Sequence, residues 1–316
     1  MDGKNILLLL LIVLANMAAL GNTSSAFFVY SSGGSSIGFE GNDTLLMPKI
    51  ALPNGTASME HFERLPVYSI NQSINGTYHS SLEPAASNIS MCISPFDLSF
   101  FISDDYGVDF SGKICEKYYP LLNSSNSNYI ENAESKSFLL SRTRSGMYSL
   151  YFFDEEKSSL LISMPLLITE GQTILQAPSI VEADEPFIPV MMNTSVPGNE
   201  SKFFAAILIS RSNYENASLG IAKNRTTSGL DITLSLGSKS LHIDGPISVS
   251  SKLLMDLLPL LPENSAVGLQ ESSHPGVDLI LLPDNSWVKG EYILTGGIYS
   301  PGKGLVGIKQ SVIHIA

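Results

Sequence analysis

The chain has 316 residues, 44% of them apolar and 15% charged, with 18 Lys and Arg against 30 Asp and Glu for a net charge of -12. That length holds two domains of common size, each able to bury its own core, and Ser, Asn and Thr cover the surface where charges are few. The acidic balance and the lack of any Lys or Arg run exclude nucleic acid as a partner, and self-repulsion keeps the chain dispersed.

In chain order, Lys4 and the free amine precede an apolar run from Ile6 to Leu20 broken only by Asn16. The run has the form of a signal-peptide core and is shorter than the roughly 20 apolar residues a bilayer-spanning helix needs. Residues 1–21 are therefore read as a signal peptide, with cleavage after Gly21 or as late as Ala26. An uncleaved signal anchor is the alternative, and the one route in this reading to a membrane. Eleven N-x-S/T sequons, at Asn22, Asn42, Asn54, Asn71, Asn75, Asn88, Asn123, Asn193, Asn199, Asn216 and Asn224, agree with export and mark candidate glycosylation sites.

From Phe27 to Ile70 short apolar pieces alternate with Gly, Ser and Asn. The pattern predicts short strands in an irregular amino-terminal extension, with one helical turn over Met59–Leu65 that ends before Pro66. Asp97–Ile102 reads as a strand, and Ser111–Tyr119 as a short helix stopped by Pro120. Ser137–Leu140 is the next strand. Gly146-Met147-Tyr148-Ser149-Leu150 then opens a hairpin that turns at Asp154–Lys157 and returns through Leu160–Ile162. Tyr148, Leu150 and Phe152 share one face of its first strand, and Ser149, Tyr151 and Phe153 the other. With both faces nearly apolar, the strand belongs at the centre of a sheet.

Thr169–Gln172 marks the boundary between two expected domains, 27–170 and 174–316. Phe203–Ile209 reads as a strand buried on both sides. Leu230, Ile232, Leu234 and Leu236 alternate with polar residues and turn at Gly237-Ser238 into Leu241–Ile243, a hairpin. Lys252–Leu258 predicts a helix, capped by Ser250 or Ser251 and ended by Pro259. The last hairpin repeats the first: Gly290-Glu291-Tyr292-Ile293-Leu294, a turn at Pro301-Gly302-Lys303-Gly304, and a second apolar strand. Two such endings, short alternating strands and a Gly-x-Tyr at the penultimate strand predict an all-β chain: two immunoglobulin-like β-sandwich domains in tandem, with a few short helices.

Asp97–Leu122 (DLSFFISDDYGVDFSGKICEKYYPLL), SSKLLMDLLPLLPENSAVGLQES from Ser250 and YSPGKGLVGIKQ from Tyr299 together resemble the methanogen extracellular domain family. The likeness runs from Asp97 to the end of the chain. It implies an exported protein of a methanogenic archaeon and carries no catalytic residue across.

Constellations for chemistry are sparse. Gly34-Ser35-Ser36-Ile37-Gly38 spells a nucleophile elbow but lacks the strand before it and the helix after it. Gly297–Gly304 resembles a phosphate-binding loop yet has Gly304 where Ser or Thr belongs. His61, His79, His242, His274 and His314 show no metal-ligand spacing. Asp104, Asp105 and Asp109 form an acidic turn whose oxygens would suit calcium or, as a pair, a glycosidase; simple solvation is the competing reading, and no other cofactor is expected. Cys92 and Cys115 are the two cysteines, read first as a disulfide worth about 3 kcal/mol, with buried free thiols as the alternative. The expectation is an exported structural or interaction protein without catalytic activity, whose partners are other cell-envelope proteins or surface glycans. A carbohydrate-binding module or a weak glycan-active enzyme is the alternative.

Overall fold

The computed structural model describes residues 26–32, 35–41, 43–46, 49–51, 64–70, 72–80, 89–95, 117–119, 122–123, 134–140, 144–154, 159–223, 230–236, 239–244, 261–283 and 286–316. The chain is all-β. In the amino-terminal half a five-stranded sheet runs in the order β1 (Ala26–Ser32), β2 (Ser35–Gly41), β6 (Ile74–Ser80), β10 (Glu134–Leu140) and β9 (Leu122–Asn123). A six-stranded sheet runs β3 (Asp43–Leu46), β5 (Arg64–Ser69), β12 (Ser159–Thr169), β11 (Gly146–Asp154), β7 (Ile89–Pro95) and β8 (Lys117–Tyr119). The two are packed face to face: Tyr78 of β6 stacks on Phe152 of β11 with ring centroids 4.9 Å apart, and Ile37, Phe39, Leu150 and Leu166 are buried with them.

In the carboxy-terminal half a three-stranded sheet, β13 (Thr173–Gln176), β15 (Ile188–Thr194) and β21 (Gly276–Leu281), faces a five-stranded one. The latter runs β14 (Ile180–Val181), β23 (Gly304–Ile315), β22 (Gly290–Ser300), β16 (Lys202–Ser210) and β20 (Ala266–Ser272). Leu175, Val190, Met192, Leu279 and Leu281 from the first sheet share one core with Phe204, Leu208, Leu294, Val306 and Ile313 from the second. A short helix, α1 (Arg211–Glu215), follows β16.

The halves repeat one topology. In each, a short strand pairs parallel with the last strand, β5 with β12 and β14 with β23. The last strand pairs antiparallel with the penultimate one, and that strand with β7 or β16. The outer strands β8 and β20 close this sheet on its far side. In the opposite sheet β2–β6–β10 corresponds to β13–β15–β21.

A further sheet joins the halves: β19 (Lys239–Asp244), β18 (Leu230–Leu236), β17 (Ser218–Lys223) and β4 (Lys49–Ala51), with β4 parallel to β17. The predicted hairpin is thus β18 and β19, set in a sheet outside both sandwiches. At the seam, Leu45, Leu65, Val67 and Leu167 bury against Leu305 and Ile308. The connection from β12 to β13 lies along β23, Gly171 N–H donating to the Val306 carbonyl at 2.9 Å. Tyr214 Oη donates to the Leu46 carbonyl at 3.2 Å, Leu46 N–H to Gln310 Oε1 at 3.2 Å, and Lys309 pairs with Asp43 at 3.1 Å.

The short strands expected before Ile70 are present as β1 to β5, and Ile37, Phe39 and Leu45 are buried in cores. Several expectations need correction. Leu65 and Pro66 lie in β5, not at the end of a helical turn; Pro66 is tolerated because strand backbone matches its fixed φ. The end of the predicted helix Ser111–Tyr119 is β8, whose residues pair with Met91, Cys92 and Ile93; pairing to a formed sheet overrides weak helical pattern. In β16, Phe204, Ala206 and Leu208 are buried while Phe203, Ala205 and Ile207 are half-covered, so one face is less enclosed than its apolar run implied. Asp97–Ile102 and the predicted helix Lys252–Leu258 lie outside the described residues.

Candidate interaction surface

The two closing hairpins present matched tyrosines. Gly146 and Gly290 open β11 and β22 at φ of +148° and +143°, backbone that a side chain would strain. Two residues on, Tyr148 and Tyr292 are buried. Tyr148 Oη donates to the Arg144 carbonyl four residues back at 3.1 Å. The Tyr292 hydroxyl lies beside the backbone of Val288, also four back, but reaches no acceptor in hydrogen-bond geometry; its ring meets Trp287 edge-on at 6.2 Å between centroids. Burial raises the Tyr292 hydroxyl above its ordinary pKa, with the Val288 backbone partly offsetting that shift.

The sequence-predicted residues are not brought together. Asp104, Asp105 and Asp109 lie outside the described residues, as does His61; among the described residues no group of three His, Cys, Asp or Glu is placed to hold a metal ion. His79 is half-buried on β6, its pKa lowered by burial. His242 on β19 is exposed with Nδ1 3.0 Å from Thr233 Oγ1, and His274 and His314 are exposed on separate elements. Ser36 sits within β2, between β1 and β6, so Ser35–Gly38 of the elbow-like letters lie in a strand. Gly297–Gly304 comprises the end of β22, the turn Pro301–Lys303 and the first residue of β23. Cys92 is fully buried and disulfide-bonded; Cys115 lies outside the described residues.

Among the sequons, Asn75 is exposed on β6, Asn123 ends β9, Asn199 is exposed in the turn after β15 and Asn216 is exposed after α1. Asn193 is half-buried on β15, its Oδ1 accepting from Thr194 N–H at 2.7 Å. Asn22, Asn42, Asn54, Asn71, Asn88 and Asn224 lie outside the described residues. A buried cation appears where the sequence signalled none: Lys202 is 2% exposed, and its ammonium donates to the carbonyls of Gly198 at 3.0 Å and Glu200 at 3.4 Å. Carbonyl oxygens there replace the water a buried charge forfeits, tying down the turn that bears Asn199.

The feature that stands out is apolar. On the outer face of the three-stranded sheet Ile174, Phe187, Met191, Ile280 and Leu282 are all between 40% and 62% exposed. The register sets polar residues among them: Ile174 lies opposite Asn193, Met191 lies between Gln176 and Asp278, and Ile280 lies opposite Pro189. Asp278 is the one charge on this face among the described strand residues. The sequence run Phe187–Met192 is apolar on both faces and so did not reveal which side would be left open. A cluster of exposed apolar side chains on one sheet face marks a contact surface more often than a solvated one.

No family model matches the chain, and no curated protein does. Solved structures with some likeness include latent PorU of Porphyromonas gingivalis, 8% identical, TM-score 0.21, over 78% of this chain and 19% of that one. Purple acid phosphatase PPD1 of yellow lupin (Lupinus luteus) is 11% identical, TM-score 0.22, over 78% and 39%. The adhesin InvE of Yersinia pseudotuberculosis is 8% identical, TM-score 0.21, over 79% and 56%. The chain spans between about a fifth and just over half of these proteins.

Proposed function

We propose that the chain is an exported protein of the cell envelope or its surroundings that acts by contact and not by catalysis, built from two immunoglobulin-like sandwiches in tandem. The exposed apolar face of the sheet β13–β15–β21 carries this reading, because a face of that kind is costly to leave in water unless something covers it. Other features support it. In each half the parallel pairing of a short early strand with the last strand, and a buried tyrosine near the start of the penultimate strand whose hydroxyl in the first half bonds four residues back, fit an immunoglobulin-like sandwich with its tyrosine corner. The disulfide-bonded Cys92 fits an oxidising compartment. The resemblance of Asp97 to the end to the methanogen extracellular domain family extends the reading to an archaeal cell surface.

Intact mass of the protein recovered from its native host, by cell fraction, is the test. The expected result is a chain in the envelope or medium fraction that lacks its first 21 to 26 residues, with glycan mass on exposed sequons such as Asn199 and Asn216 and no free thiol. A full-length, unmodified chain in the cytoplasmic fraction would sink the proposal.

A further inference from the structure

We infer that the outer face of the sheet β13–β15–β21 binds a basic protein partner, one that offers aliphatic side chains to the centre of the face and Lys or Arg to its two ends. The inference rests on the reading of this face as a contact surface and gives the partner's chemistry. Side chains two apart on a strand share a face, so Pro189 and Met191 of β15 project outward with Phe187 just before them. Pro189 lies opposite Ile280. One rung beyond the pair Ile188 and Leu281, Phe187 and Leu282 are 43% and 62% exposed. In the other direction Met191 lies between Gln176 and Asp278. The apolar centre thus runs over the rungs from Phe187 to Met191, roughly 14 Å at the rise of a strand.

Carboxylates bound that centre at both ends. Asp278 is exposed at one. At the other, Glu185 N–H donates to the Glu182 carbonyl at 3.1 Å, closing a turn that Pro186 joins to Phe187, and Glu182, Asp184 and Glu185 are all exposed. Among the described residues none of these four carboxylates has an ion-pair partner. Nor does the neighbouring chain supply one: from Gln172 to Ser201 and from Ser273 to Val288, the segments that build this sheet, there is no Lys or Arg. The next cations in sequence, Lys202 and Lys289, stand at the start of β16 and just before β22 in the facing sheet, and Lys202 is buried.

Charge decides among the occupants an apolar face can take. A second copy would bring the carboxylates of both faces together with no cation between them, and like charges across a contact cost affinity. The net charge of -12 adds to that repulsion. Nucleic acid and anionic lipid meet the same unfavourable field. A partner with Lys or Arg at its border instead finds four unpaired carboxylates, while its apolar residues cover Phe187, Ile280 and Leu282. The carboxylates stay at the solvated rim, so they speed association and reject wrong partners, and the covered side chains supply the affinity.

The test is calorimetric titration of the full chain with a synthetic peptide of about ten residues, Leu at alternate central positions and Lys at both ends, against one with Glu for Lys and one with Ser for Leu. The Lys-ended, Leu-centred peptide should bind at least about tenfold more tightly than either of the others, and raising salt from about 50 mM to about 500 mM should weaken it severalfold. Asp278→Lys should narrow the preference for Lys over Glu ends. Ile280→Ser combined with Leu282→Ser should weaken binding at least about tenfold, while Leu269→Ser on β20 leaves it unchanged. All three side chains are over half exposed, so circular dichroism should stay that of the wild type. Equal binding of the Glu-ended peptide, indifference to the Ile280 and Leu282 changes, or no binding at all overturns the proposal. So does dimerisation of the chain alone in sedimentation, or co-sedimentation with phosphatidylcholine vesicles, if the Ile280 and Leu282 changes abolish it; those results assign the face to a second copy or to lipid. A chain found unprocessed in the cytoplasm would end the exported reading without altering these affinities, so the two failures are told apart.

Discussion

Two tyrosines in one setting make a comparison at the scale of single atoms. Tyr148 Oη has an acceptor at 3.1 Å, whereas the equally buried Tyr292 hydroxyl has none in good geometry. Removing a made bond costs about 1 kcal/mol, while removing a buried unpaired hydroxyl is near neutral. Denaturant titration should show Tyr148→Phe destabilised by about 1 kcal/mol and Tyr292→Phe changed by less than about 0.5. Alkali probes a third tyrosine. Burial lifts the Tyr214 hydroxyl far above the ordinary tyrosine range, and burial raises Tyr292 and Tyr299 as well. In the unfolded chain these groups lose their protons near pH 10, whereas folded they keep them, so the unfolded state binds fewer protons above that pH. Stability should be independent of these residues below about pH 10 and fall above it, by up to about 1.4 kcal/mol per pH unit for each. Tyr214→Phe should make the decline shallower; an unchanged slope in stability measured from pH 9 to 11.5 would refute the assignment.

Between elements, backbone approach is controlled by glycines whose neighbours leave no room. A Cβ on Gly307 of β23 would meet Thr173 Oγ1 at 2.0 Å and the Gly171 carbonyl at 3.3 Å. One on Gly171 would meet Val196 Cγ2 at 2.4 Å and Ser195 Oγ at 2.8 Å. The connection between the halves is therefore held between β23 and the turn after β15, with backbone on one side of the contact. Gly307→Ala should cost about 1–3 kcal/mol, more than Gly220→Ala, whose added carbon would meet only ordinary contacts at 3.6 Å and beyond. Equal losses in thermal unfolding would show that the connection yields freely.

The seam sets the behaviour of the whole molecule. Leu45, Leu65, Val67 and Leu167 on one side and Leu305 and Ile308 on the other are buried together, and β4 reaches across to β17. Shared burial couples the halves, so calorimetry should show a single transition or closely merged ones. Ile308→Ala removes a buried side chain from the seam, should cost about 2–5 kcal/mol, and should separate the transitions. The Asp43–Lys309 pair is over a third exposed at both ends and contributes at most about 1 kcal/mol, so Lys309→Ala should leave them merged. Separate transitions in the wild type would show that the seam does not couple the halves.

Local pattern in the chain was enough to read the all-β class and the two closing hairpins. Their information is local: a glycine where φ must be positive, a tyrosine two residues on, and apolar residues alternating with the pleat. The central place of β11 was legible for the same reason, since apolar residues on both of its faces leave no side for water. The seam was not legible, because β4 pairs with β17 and Leu45 and Leu65 bury against Leu305 and Ile308, all partners more than a hundred residues away in the chain. Nor could the sequence say that Phe187, Met191 and Ile280 would stay in the open while Val190, Leu279 and Leu281 went inside. All are apolar; which face of a strand is buried depends on what packs against it, and for β15 and β21 that is the sheet containing β16 and β22, brought over only when the sandwich closes.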